Sequence, residues 1–116
     1  MAKHLLLIED DPALQNLFEK FLKYKEVEYT IAETLRAAEA AFEVGPIDAV
    51  LADVEIQDGD SLPIIQYCEA NGIPCVAFSS NDLNRNNAMN SGAITFVAKP
   101  IMMDKLEYML DKVGIS

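Results

Sequence analysis

Positive charge is scarce in this sequence. Nine Lys and Arg stand against nineteen Asp and Glu, for a formal net charge of −10. Direct nucleic-acid binding takes basic patches that displace counterions from phosphates, so the balance argues against it and disfavours anionic membrane surfaces too. Long apolar runs are missing as well. Those present span only a few residues, too short to cross a bilayer. The opening "MAKHLLLIEDD" has neither the length nor the cleavage site of a signal peptide, so a cytoplasmic location is expected by default. Cysteine is nearly absent. Cys68 and Cys75 could pair, but a chain of 116 residues builds a core without a staple, and both are expected as reduced core thiols. No low-complexity stretch, linker or repeat marks a second domain, so residues 1–116 are expected to form one domain.

What is present is a folded composition, 51% hydrophobic, in which two periods alternate. The apolar run "HLLLIE" is followed by "DPALQNLFEKFLKY", where Leu14, Leu17, Phe18, Phe21 and Leu22 share a helical face. Asp11 suits the N-cap of that helix and Pro12 its first position, where a missing N–H costs nothing. "EYTIA" is a strand. "TLRAAEAAFEVGP" is a helix with Thr34 as cap, Leu35, Ala38 and Phe42 inward and Gly45-Pro46 as its stop. The strand "DAVLAD", the helix "SLPIIQYCEANG" and the strand "PCVAFSS" follow. A weak helix "NDLNRNNAMNSG", the strand "AITFVAKP" and the helix "MMDKLEYMLDKV" close the chain. In that last helix Leu106, Met109, Leu110 and Val113 share a face. Five strand–helix alternations imply parallel crossovers and a sheet covered on both faces. The expected fold is α/β, a flavodoxin-like, three-layer, doubly wound domain with a five-stranded parallel sheet and five helices.

Sites in such folds lie beyond the carboxyl ends of the strands, near the switch in strand order. Glu9 and Asp10 follow the first strand, Asp53 ends the third, Ser79 the fourth and Lys99 the fifth. Each alone is weak evidence, since an Asp after a strand is usually a turn former and a Lys is usually solvated. Together they deliver three carboxylates, a hydroxyl and an ammonium to one edge. Neighbouring carboxylates raise one another's pKa unless a cation intervenes, and hard oxygen ligands suit Mg²⁺ or Mn²⁺. Phosphoryl transfer asks for such a metal, a cation on the phosphate oxygens and a positioned nucleophile. Asp53 fits the nucleophile, Lys99 the counter-cation and Ser79 a donor to a phosphoryl oxygen.

On these residues the chain resembles, over essentially its full length, the receiver domain of two-component response regulators. "LLLIEDDPAL" resembles the first-strand motif whose metal-binding acids align with Glu9 and Asp10, leaving Asp11 as a helix cap. "DAVLADVEIQDGDSL" resembles the phosphoacceptor segment around Asp53. "PCVAFSS" places Ser79 in the Ser/Thr position, and "AITFVAKPI" supplies Lys99 before a proline whose peptide bond is cis in the family. The resemblance implies phosphorylation of Asp53 by a histidine kinase, a phosphotransfer protein or a small donor such as acetyl phosphate. Ser79 would then move toward the phosphoryl group. Phe96, in the switch aromatic position, would turn inward or else simply pack in the core. A docking surface on the fourth helix, fifth strand and fifth helix would change its affinity for a downstream protein target, and a phosphorylation-dependent dimer fits the same scheme. Such a protein is not an enzyme in the multiple-turnover sense, since it catalyses only its own phosphoryl transfer and dephosphorylation. With no output domain in the sequence, the expected role is a stand-alone receiver; the alternatives are a fragment of a larger regulator or a receiver-like scaffold that is never phosphorylated.

The sequence departs from the family at several places. Gln57 stands where Pro is usual and Ser61 where Gly is usual, so the loop after Asp53 is expected to differ in shape. Ser80 replaces a small Ala. Glu55 and Asn81 occupy the two positions that tune acyl-phosphate lifetime. Glu55 either reaches the metal, shapes water access, or contributes only its backbone carbonyl to the metal. The fourth helix carries Asn84, Asn86, Asn87 and Asn90, poor helix formers that imply marginal local stability. Two rivals fit less well. A flavin or nucleotide site wants a phosphate cradle where Glu9-Asp10-Asp11-Pro12 stands, and an aspartyl-phosphate phosphatase wants an Asp at position 55.

Overall fold

A computed structural model describes residues 3–115. Five strands, β1 (His4–Ile8), β2 (Glu28–Ala32), β3 (Ala49–Asp53), β6 (Cys75–Ser79) and β7 (Thr95–Ala98), form one sheet. Its order is β2-β1-β3-β6-β7 and every pairing is parallel. The direction of winding reverses between β1 and β3, the switch point at which such sheets carry their sites. Between the strands run α1 (Pro12–Tyr24), α2 (Leu35–Val44), α3 (Leu62–Ala70), α4 (Asn84–Ser91) and α5 (Met103–Lys112).

Strand alternation sorts the core into two layers. Leu5, Leu7, Leu51, Val76 and Phe78 meet Phe18, Phe21 and Leu22 of α1 and Leu106, Met109 and Leu110 of α5 on one face. Leu6, Ile8, Val50, Ala52 and Ala77 meet Ala38 and Ala41 of α2, Ile64, Ile65 and Cys68 of α3 and Ala88 of α4 on the other. Phe18 and Phe78 stack with centroids 5.6 Å apart. Burying one such aromatic contributes about 1.5–3 kcal/mol, so the α1 layer is firmly held. Cys68 and Cys75 are both buried and free, as expected of core thiols.

The helix starts follow the expected chemistry. Asp11 accepts the Ala13 N–H at 3.0 Å, and Thr34 accepts the Ala37 N–H at 3.0 Å. Leu35 and Phe42 are only partly buried, Phe42 packing edge-on against Tyr67. One element was not anticipated. The loop after β3 folds into a small antiparallel hairpin, β4 (Glu55–Ile56) with β5 (Gly59–Asp60). Two-residue arms carry no readable periodicity. At the hairpin turn Gly59 adopts φ 140°, a region open to glycine, and the Asp58 carboxylate accepts the Leu35 N–H at 2.9 Å, tying the hairpin to α2.

Candidate functional site

Sheet register brings the candidate residues level. Ile8 pairs with Ala52, so Glu9 emerges beside Asp53; Ser79 pairs with Ala98, so Lys99 emerges next to it. The Lys99 N–H donates to the Ser79 carbonyl at 2.9 Å, and the Lys99–Pro100 peptide is cis. Carboxylate oxygens of Glu9, Asp10 and Asp53 lie within 4.8 Å of one another.

Glu9 is fully buried. Its Oε2 accepts the backbone N–H groups of Asp10 at 2.9 Å and Asp11 at 3.0 Å. Its carbonyl accepts the Gln15 side-chain amide at 2.6 Å. Lys99 Nζ stands 3.2 Å from Glu9 Oε1 and 2.8 Å from Asp53 Oδ2, so one ammonium bridges two buried carboxylates. Asp53 Oδ1 accepts the Glu55 N–H at 3.1 Å. Burial pushes the Glu9 carboxyl from its ordinary 4.5 up to about 7; the Asp11 N–H and Lys99 oppose the rise and the Asp53 charge adds to it. Asp53 is also raised, by burial, against the pull of Lys99 and the Glu55 N–H. Burial works against the Lys99 ammonium, but the two carboxylates outweigh it and hold its pKa above the usual value. Taking a carboxylate out of water favours its neutral form unless charge of the other sign is at hand.

A hard divalent cation fits this donor set. Glu9 Oε1 is buried without a hydrogen-bond partner, with the Lys99 ammonium 3.2 Å away. Asp10, half-exposed, closes the cluster on the solvent side. All donors are oxygens, the ligand type Mg²⁺ and Mn²⁺ prefer.

A family model for the response regulator receiver domain matches residues 5–111. The chain belongs to that family. Among curated relatives, the transcriptional regulatory protein TrcR of Mycobacterium tuberculosis is 30% identical over 107 residues, covering 88% of this chain and 41% of TrcR. The chain spans about half or less of the length of the curated relatives it matches. In fold it is similar to a CheY-like receiver domain protein from Methanospirillum hungatei, with a TM-score of 0.86 at 22% identity and coverage of 97% and 94%. It is also similar to the receiver domain of the sensor histidine kinase PA1611 from Pseudomonas aeruginosa, solved with magnesium in its active-site cleft. There the TM-score is 0.83 at 24% identity, covering 98% and 99%.

The remaining candidates occupy distinct places in this receiver domain. Ser79 is buried; its Oγ accepts the Asn81 N–H at 3.0 Å and the Asn84 side-chain amide at 3.0 Å, and lies 3.5 Å from Glu55 Oε1. The exposed Glu55 side chain thus turns toward Ser79, outside the carboxylate cluster. Asn81 directs Oδ1 at the Leu83 N–H, 3.0 Å away, so its side chain shapes the approach to α4. Phe96 is already buried in the α2–α3–α4 layer, with the Arg85 guanidinium 4.8 Å from its ring centre. The inward turn expected on phosphorylation therefore finds the ring inside in this conformation. Core packing was the other reading of that residue.

Two residues at the site escaped the sequence reading. Ser61, seen only as a replaced glycine, donates its buried hydroxyl to the Asp53 carbonyl at 2.8 Å and so fixes the backbone of the candidate nucleophile. Its N–H pairs with the Val54 carbonyl at 2.8 Å, closing the hairpin. Asn84, read only as a poor helix former, reaches back to Ser79. Neither contact has a spacing signature, since both cross a loop whose shape the sequence leaves open.

Proposed function

We propose that this receiver domain accepts a phosphoryl group on Asp53 and transmits the change through α4, β7 and α5 to a protein target. The observation that carries the reading is the Lys99 ammonium placed between Glu9 and Asp53 within a three-carboxylate cluster. The donors are a histidine kinase, a phosphotransfer protein or a small acyl phosphate. Glu9, Asp10, Asp53 and the Glu55 backbone carbonyl would hold Mg²⁺ or Mn²⁺, as magnesium is held in the cleft of the PA1611 receiver. A metal bound there supplies charge neutralisation for the acids and the incoming phosphoryl oxygens.

The chain's own residues do the rest. A carboxylate oxygen of Asp53 attacks phosphorus, the bond to the donor's imidazole nitrogen or carboxylate oxygen breaks, and that leaving group takes the electron pair. Ser61 holds the Asp53 carbonyl, so the nucleophile is presented by fixed backbone. Lys99 moves its charge from Asp53 to the phosphoryl oxygens, and the Ser79 hydroxyl donates to one of them. Exposed apolar side chains lie on or beside these elements: Leu83 and Met89 at α4, Ile94 before β7, and Met102, Met103 and Tyr108 at α5. Among the described residues no helix is long and apolar enough to cross a membrane.

The test is intact mass after incubation with acetyl phosphate and Mg²⁺. A single phosphoryl adduct is expected, absent with EDTA and absent in Asp53→Asn. An adduct that persists in Asp53→Asn overturns the assignment; no adduct in the wild-type chain leaves the unphosphorylated scaffold as the better reading.

A further inference from the structure

The Ser79 hydroxyl oxygen is engaged as an acceptor before any phosphoryl group arrives. It accepts two hydrogen bonds, from the Asn81 N–H and from the Asn84 side-chain amide, each at 3.0 Å. Its own hydrogen has Glu55 Oε1 as acceptor at 3.5 Å, beyond the range of a strong O–H···O bond. The two partners differ in kind. Asn81 is local, a backbone group two residues along the same loop. Asn84 is the first residue of α4, half-buried, and its contact ties the helix start to the end of β6.

That tie matters because the other hydrogen bonds at the start of α4 stay within its own loop: the Leu83 N–H to Asn81 Oδ1 at 3.0 Å, the Asn84 N–H to the Asn81 carbonyl at 3.0 Å and the Arg85 N–H to the Asp82 carbonyl at 3.1 Å. Leu83 at the N-cap offers no side-chain cap, and Ala88 is the helix's one buried side chain. A second side-chain link from the first turn to the sheet is the Arg85 guanidinium over the Phe96 ring. Adjacent residues of α4 therefore touch Ser79 and Phe96, one each.

We infer that Asn84 is a positioning residue that latches the Ser79 hydroxyl to α4 in the unphosphorylated domain, so that drawing Ser79 to a phosphoryl group on Asp53 releases the first turn of α4. The inference rests on the proposed phosphorylation of Asp53. It runs through one named hydrogen bond. Moving Ser79 Oγ away from Asn84 gives up a bond whose net worth is modest, so the latch biases an equilibrium and does not block it.

The experiment compares wild type, Asn84→Ala, Ser79→Ala and the double variant, following the rate of the phosphoryl adduct with acetyl phosphate and Mg²⁺ by intact mass. Ala is a better helix former than Asn, and Asn84→Met, which also lacks a donor, serves as a second variant. Asn84→Ala and Asn84→Met are expected to accelerate adduct formation about two- to tenfold, the factor carried by one hydrogen bond of ordinary strength. In the Ser79→Ala background the same substitutions are expected to change nothing, because the latched hydroxyl is gone. A packing role would slow the reaction or leave it unchanged in both backgrounds, and either result overturns the latch. An equal acceleration with and without Ser79 overturns it as well. No adduct in wild type contradicts the phosphoacceptor reading instead, so the two failures are told apart.

Discussion

At the ends of β1 and β3, the buried carboxylates of Glu9 and Asp53 share one ammonium and three backbone N–H groups. In α4, by contrast, one side chain is buried, no side chain caps the start, and four of eight residues are asparagine. The first region is densely tied yet electrostatically uncomfortable. The second is comfortable and loosely tied. A receiver domain needs both: chemistry wants fixed groups with unmet charge, while a response wants an element whose position is decided by one or two weak bonds.

The sharpest way to break the comparison is to remove the shared cation. Lys99→Ala leaves Glu9 and Asp53 buried without their counter-charge. A loss of about 2–3 kcal/mol is expected in urea unfolding at pH 8 with chelator present, below the full cost of breaking a buried pair because the ammonium is 21% exposed. An unchanged midpoint would mean that the carboxylates are relieved in some other way. The reverse manipulation relieves the repulsion. Glu9→Gln with Asp10→Asn is expected to weaken Mg²⁺ binding at least tenfold, as direct ligands are lost, while stability without metal holds or rises by about 1 kcal/mol. Calorimetric titration checks the first part and denaturant midpoints the second.

A smaller effect follows from the raised carboxyl of Glu9. Between pH 4.5 and about 7 the folded chain retains a proton there that the unfolded chain has released. Stability without metal is therefore fully present below that window and falls as pH rises through it, with Asp53, also raised, adding in the same direction. Midpoints measured from pH 5 to 7.5 with EDTA check the sign, and Glu9→Gln is expected to flatten the slope. The smallest effect lies in α4. Asn87 is exposed in mid-helix, so Asn87→Ala is expected to stabilise by roughly half a kcal/mol through helix propensity alone, with no change in metal binding.

How much of this was legible in the sequence divides along the same line. The parallel sheet announced itself through runs such as "LLLI" and "AVLA", as strands covered on both faces carry, alternating with helical periods. Asp11 and Thr34 named their caps because capping acts over two or three residues. The convergence of Glu9, Asp10, Asp53, Ser79 and Lys99 on one edge was legible because each lies at or just past a strand end, and strand ends converge by topology. Ser61 and Asn84 were not, because their partners, the Asp53 carbonyl and the Ser79 hydroxyl, are set by loop geometry. The burial of Phe96 was left open for the same reason: the residue type fits core or switch, and packing against α4 decides.

Hydrogen exchange, read before and after acetyl phosphate with Mg²⁺, tests the contrast most directly. Amides of residues 5–8, 49–53 and 75–79 are expected to stay protected throughout. Those of 84–91 should exchange readily at the outset and change protection when the adduct forms. Protection of 84–91 equal to that of the central strands, unaltered by the adduct, would contradict the contrast.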